Sequence, residues 1–194
     1  MYLLGKRNGY FPTPRLRALG ESILRGDPIV MLAQSHVRAL RDAIGETAVF
    51  GKRDGTEALY LEVQEADHAV RFVAHAGQRK MMHSGASGKA LMALMAPDER
   101  REFIGQLNRP AISQKTLVTV EDIERAIDRG IRVGWHVAIG ENSPDLTSIA
   151  AGFGVGGEGY FFCVGGPTSR ISSRKEEIGK VVAQLAATIE REAS

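Results

Sequence analysis

The sequence predicts an α+β fold, an antiparallel sheet covered by helices. The first observation behind this is segregation: helical and strand-like segments fall in blocks, in the order helices, strands, helices, strands, helix. Such blocks favour an antiparallel sheet with helices packed on it over a doubly wound parallel sheet. The second is the placing of tight-turn residues, Asp54-Gly55 and the glycine-rich run from Gly152 to Gly157, between strand-like runs, where they suit hairpin loops. The third is bulk composition. With 43% hydrophobic and 25% charged residues, 194 residues can bury a substantial core.

The elements follow in order. Tyr2-Leu3-Leu4 and Tyr10-Phe11 flank Asn8-Gly9, which reads as a hairpin because a type I′ turn needs positive φ at both central residues. Pro12 and Pro14 then end the strand and start a helix carrying Leu16, Leu19, Ile23 and Leu24. Pro28 restarts a helix to about Gly45, with Ile29, Leu32, Ala33, Val37, Leu40 and Ile44 at helical spacing. Strands are expected near 47–51, 57–64 and 69–75. Beyond Gly85 the period becomes helical, with Leu91, Leu94 and Met95 on one stripe, and a further helix runs from Pro97 to about Leu107. Thr119 caps a third, whose first turn holds Glu121 and Asp122 and which stops at Gly130. Strands return near 132–138, 146–153 and 159–165. The last helix opens with a capping box, Ser173 and Glu176, and buries Ile178, Val181, Val182, Leu185 and Ile189.

Several functions are disfavoured. No run approaches the ~20 apolar residues of a membrane span, and Lys6, Arg7 and Asn8 interrupt any signal-peptide core, so the expected compartment is the cytoplasm. The single cysteine, Cys163, rules out an intramolecular disulfide and a cysteine-rich zinc site. The five histidines show no ligand spacing, and neither a metal nor a cofactor is expected. Gly152–Gly157 lacks the Lys-Ser/Thr of a phosphate loop and runs into a strand. Cys163 sits in the apolar run Tyr160–Val164, where a buried thiol behaves as a small hydrophobe. No catalytic residue is assigned; an enzyme using Cys163 would need a partner base that the sequence does not supply. Charge is uneven: residues 1–26 hold five basic side chains against Glu21 alone, while the chain as a whole carries +2. A basic arm on a slightly acidic body suits contact with a polyanion through the arm, or a solvated helix start.

The informative stretch is His83-Ser84-Gly85-Ala86-Ser87-Gly88-Lys89-Ala90. Small residues in the first helical turn leave backbone N–H groups at Ala86 and Ser87 uncovered, and such donors can hold an anion. Alternatively, the small residues only let the helix start pack tightly on the sheet.

This segment resembles the His-x-x-x-x-Gly-Lys-Ala segment of the effector domains of IclR-type bacterial transcriptional regulators. Gly140-Glu141 followed by Pro144–Ala151, and Gly165-Gly166-Pro167-Thr168-Ser169-Arg170, resemble further motifs of that family in the same order. Tyr2 to Gly20 resembles the wing hairpin and linker helix of a winged helix-turn-helix. The resemblance implies a domain distantly like profilin and GAF domains that binds a small metabolite and tunes DNA binding. It implies residues 1–26 as the remainder of the DNA-reading domain and 27–194 as the effector-binding and oligomerising domain. The recognition helix precedes the wing in that family, so this chain is expected to bind DNA only weakly, through Lys6 and Arg7 at the wing tip. Leu16, Leu19, Ile23 and Leu24 need a covering surface, which points to a homodimer or a dimer of dimers.

The effector is expected at the helix start, on the Ala86 and Ser87 N–H groups, and the same resemblance adds Ser148, Cys163 and Gly165. Gly134 and Gly165 stand where some members place an acidic residue and a serine, so the pocket would be roomier and less hostile to anions. Trp135, Met82 and Phe161 would line it, and an aromatic or larger organic acid is the expected effector. The rival expectations are an enzyme on a GAF-like scaffold using Cys163 and a dimerisation scaffold with a filled pocket.

Overall fold

The computed structural model describes residues 2–4, 10–12, 14, 15 and 27–193. Strands β1 (Tyr2–Leu4) and β2 (Tyr10–Pro12) pair antiparallel, with Leu3 opposite Phe11. Pro14 and Arg15 are helical. The hairpin tip with Lys6 and Arg7, and the apolar positions Leu16, Leu19, Ile23 and Leu24, lie outside the described residues.

Helix α1 (Pro28–Ile44) starts where its sequence says it should. The Asp27 carboxylate accepts from the Ile29 N–H at 3.1 Å, Pro28 supplies a preset φ, and Gly45 ends the helix at φ 79°. Strands β3 (Thr47–Asp54) and β4 (Glu57–Gln64) form a hairpin. The strand expected near 69–75 does not form. Residues 65–78 are irregular, and the next strand is the short β5 (Arg79–Met81). The reason is that other groups take the backbone of this segment. Thr47 Oγ1 donates to the Phe72 carbonyl at 2.6 Å and Arg170 Nη2 to that of Val70 at 2.9 Å. Meanwhile the free edge of β4 is filled by Gly77 and Gln78, which exchange bonds with Tyr60.

A 3-10 turn (Met82–Ser84) leads into α2 (Ala86–Met92), which stops short of Leu94. Helix α3 (Pro97–Gln106) follows, then α4 (Val120–Val133), where Thr119 Oγ1 accepts from the Asp122 N–H at 3.1 Å. Helix α4 passes Gly130, the expected stop, because that glycine packs against the His136 ring on the helix's buried face. The stop is Gly134, at φ 83°, so β6 (His136–Ile139) starts later than its apolar run suggested. Strands β7 (Leu146–Val155) and β8 (Glu158–Pro167) meet at Gly156 and Gly157, φ 59° and 82°, as a type I′ turn requires. After β8 the chain is helical from α5 (Thr168–Ile171) through a 3-10 turn into α6 (Lys175–Ala193). Ser173 lies within that turn, and the expected capping box does not form.

The six strands β5-β4-β3-β8-β7-β6 make one sheet, antiparallel at every pairing. Helices α1 and α6 cover one face over a core of Phe50, Phe153, Tyr160 and Phe162. Helices α2 to α4 cover the other, over Phe161, Cys163, Ile123 and Ile127. The α+β expectation holds.

Candidate functional site

Beside the start of α2, a narrow slot opens between this helix and the ends of β7 and β8. Ser148 from β7 faces it from one side, Cys163 and Gly165 from the neighbouring strand, and Ser87 and Gly88 from the helix. The strand pairing explains the grouping, since Ser148 lies directly opposite Gly165 and Ala150 opposite Cys163. Ala86 enters through its backbone: its N–H donates to Ser148 Oγ at 3.3 Å. That amide is therefore not the uncovered donor the sequence suggested, because a side chain from β7 reaches it.

The slot itself is nearly filled, with a volume of about 20 Å³, and it continues outward into a pocket of about 430 Å³. The plug is Phe72. Its ring lies over Gly165 so closely that a Cβ there would stand 2.8 Å from it. Phe72, Lys80, Asn142 and Leu146 border both the slot and the outer pocket. Lys80 holds its ammonium 5.7 Å from the centre of the Phe72 ring and has no carboxylate partner among the described residues. Burial pushes its pKa down. Burial also pushes the Cys163 thiol up to about 11, partly offset by a hydrogen bond from Ser87. A thiol shifted that way is a poor nucleophile.

Four residues expected at the site stand elsewhere. Gly134 is the left-handed cap of α4, a role set by its backbone. Trp135 points to the opposite face of β6 from Ala138 and packs on Gly179 of α6. Phe161 is buried between Gly51 and Tyr60, its ring centre 6.0 Å from that of Tyr60. Met82 is buried under α2. Neither Phe161 nor Met82 reaches the slot. Phe72 and Lys80 were missed. Both follow β4 in a segment without a motif, and the only signal there was apolar alternation, which suggested a strand.

Behind the slot, Lys89 crosses the core. Its Nζ donates to the Val137 carbonyl at 3.1 Å and pairs with Glu141 Oε1. The His-x-x-x-x-Gly-Lys-Ala segment thereby ties α2 to the loop after β6, with Gly88 allowing close contact with the Met82 carbonyl. Arg170 forms a second tie, pairing through two nitrogens with buried Glu46. No group of three or more potential metal ligands occurs among the described residues, nor any helix long and apolar enough to cross a membrane.

The domain is a six-stranded antiparallel sheet covered by helices on both faces, with the slot between α2 and the paired strands β7 and β8. The family model described as bacterial transcriptional regulator IclR C-terminal matches residues 21–191, and the chain belongs to this family. Among relatives, it is 25% identical over 174 residues to the HTH-type transcriptional repressor AllR of Klebsiella pneumoniae, covering 88% of this chain and 64% of that protein. With the HTH-type transcriptional regulator BhcR of Paracoccus denitrificans it shares 28% over 162 residues, 80% of this chain and 57% of the relative. The chain thus spans about three-fifths of the length of these relatives. The crystal structure of the Thermotoga maritima IclR protein superposes with a TM-score of 0.86 at 22% identity, over 99% of this chain and 79% of that one. An IclR homologue from Microbacterium hydrocarbonoxydans, solved with 4-hydroxybenzoate, superposes with a TM-score of 0.78 at 23% identity, over 98% and 80%. At these identities the two structures establish the fold. The relatives matched are regulators of transcription, which fits a regulatory and non-enzymatic role.

Proposed function

We propose that this chain is the sensing domain of a cytoplasmic transcriptional regulator and that its effector is an aromatic or larger organic acid held in the slot at Ser148. The observation that carries this reading is Lys80, a half-buried ammonium with no carboxylate partner among the described residues, set at the shared wall of the slot and the outer pocket. A partly desolvated cation without a counter-charge favours an anionic ligand. Phe72 argues for the ring: it occupies the space over Gly165 that a planar ligand would take, below the same ammonium. The 4-hydroxybenzoate of the Microbacterium homologue is a ligand of this class.

The rest of the reading rests on the family. Residues 1–26 form the wing and linker, with Lys6 and Arg7 touching DNA weakly and without sequence preference. Residues 27–194 sense the effector and associate as a homodimer or dimer of dimers. Effector binding changes the operator affinity of the regulator.

Calorimetry with 4-hydroxybenzoate and related aromatic acids tests the acid-binding role. Lys80→Met should weaken binding about tenfold, the scale of one charge-assisted hydrogen bond. Phe72→Ala should tighten it, since no ring then needs displacing. Equal affinity for the neutral amide, 4-hydroxybenzamide, would rule the acid reading out.

A further inference from the structure

A larger cavity lies away from the slot. It is a groove of about 470 Å³ between α4, the edge strand β6 and the start of α6, within the usual range for metabolite sites. Alternation along β6 gives it one wall: Trp135, Val137 and Ile139 are half-buried and face it, while His136 and Ala138 face the core. Leu117 adds to the apolar surface.

Its charges are unbalanced. Lys115 and Arg129 stand at its border, exposed and without an ion pair among the described residues. Lys175 meets Glu176 at 3.6 Å, so that pair roughly cancels. On the floor, Lys89 and Glu141 neutralise one another, but Lys89 holds only Oε1. Glu141 Oε2 is buried and has no hydrogen-bond partner among the described residues, a costly state for a carboxylate oxygen. Side-chain exposure of Glu141 is 9%. Burial accordingly pushes its pKa up, against the pull of Lys89. The walls therefore ask for three things: an anion between Lys115 and Arg129, an apolar body on Trp135, and a hydrogen-bond donor toward Glu141.

We propose that this groove is a second ligand site, separate from the slot at Ser148, for a hydroxy acid with an aromatic side chain. The carboxylate sits between Lys115 and Arg129, the ring lies along Trp135 and Leu117, and the hydroxyl donates to Glu141, whose buried Oε2 turns toward the groove to accept it. The site also adjoins the Gly140–Leu146 segment, whose Asn142 borders the slot, so the two ligands share one structural element.

Trp135 is the only tryptophan of the chain and reports directly on this groove. Titration with 3-phenyllactate, followed by tryptophan emission, should give a saturable change. Lys115→Ala combined with Arg129→Ala should weaken it about tenfold or more, and 3-phenylpropionate, which lacks the hydroxyl, should bind several-fold more weakly. Lys80→Met, which weakens the slot, should still give a saturable response at Trp135. Three results would overturn the proposal. One is no saturable response to 3-phenyllactate. Another is a response lost in Lys80→Met and kept in the double variant, which would place the ligand in the slot. The last is a change of molecular mass by light scattering in the double variant with unaltered 3-phenyllactate binding, which would make the groove a contact between copies of the chain.

Discussion

The two faces of the sheet bury different things. Under α1 and α6 the rings of Phe50 and Tyr160 stack 5.7 Å apart at 7°, and Phe153 and Phe162 stack 5.6 Å apart at 14°, within aliphatic surroundings. Under α2 to α4 the core instead admits Ser87, Lys89, Arg100, His136 and Glu141, all buried, whereas on the other face the buried polar groups Glu46 and Thr147 lie at the strand ends and pair with Arg170 and Thr168. Each of these costs desolvation that only good partners recover. Arg100 has two, Glu124 and Asp128, both at 2.9 Å, whereas His136 Nδ1 and Glu141 Oε2 have none among the described residues. The contrast separates two tasks. The dry face holds the fold, and the polar face gives up stability to hold polar groups beside the slot and the groove.

The sharpest way to break this comparison is to remove Lys89. Lys89→Met leaves Glu141 buried without its counter-charge, and a loss of about 3–5 kcal/mol is expected in urea unfolding. Adding Glu141→Leu should restore most of it, because replacing both members of a buried pair by apolar groups is often neutral. On the dry face, Phe162→Ala should cost a similar ~3–5 kcal/mol through cavity formation, with no second substitution of comparable simplicity to rescue it. If Lys89→Met costs under about 1 kcal/mol, the polar face is not electrostatically committed.

The next effect is pH dependence. His136 is buried, and burial, aided by Lys89 and Arg100, depresses its pKa to about 4 from the ordinary 6.5. The unfolded chain binds more protons than the folded one between these values, so stability rises with pH across that window. It is complete above about pH 6.5 and falls by at most about 3 kcal/mol as pH drops toward 4. His136→Phe should lessen the loss between pH 7 and pH 4.5, measured by urea midpoints. An unchanged slope would mean that His136 titrates normally.

The two faces were not equally legible in the sequence. The dry face announces itself through periodicity: Ile178, Val182 and Ile189 of α6 and Ala33, Val37 and Leu40 of α1 are all buried, as their spacing suggests. The Thr119 cap at the start of α4 and the Gly156-Gly157 turn were readable because residue chemistry there is local. Of the residues that the family resemblance suggested, Ser148, Cys163 and Gly165 line the slot together, because β7 and β8 pair there. The slot was not readable at Phe72 and Lys80. Their positions depend on Thr47 and Arg170 pulling residues 65–78 off the sheet edge, bonds between positions 25 and 100 residues apart in sequence. Trp135, next to Gly134, was misplaced for a related reason: the extra turn of α4 shifts where β6 begins, and β6 then sends Trp135 to the other side.

The smallest expected stability effect is the most telling for function. Ser148 Oγ takes the Ala86 N–H at 3.3 Å, a long bond, and the residue is only half-buried. Removing such a bond costs about 0.5–1 kcal/mol, so Ser148→Ala should hardly move the urea midpoint. Its effect on ligand binding should be larger. The hydroxyl stands at the junction of α2, β7 and β8, where it can donate to an acid entering past Phe72. Losing a hydrogen bond to a charged group costs about tenfold in affinity. Calorimetry with the tightest-binding aromatic acid of the panel, on wild type and Ser148→Ala, supplies the second axis. A small stability change with a large affinity change would mark the slot as built for a ligand. A stability loss above about 2 kcal/mol with unchanged affinity would mark Ser148 as a packing residue, joining α2 to the sheet much as the dry face is joined.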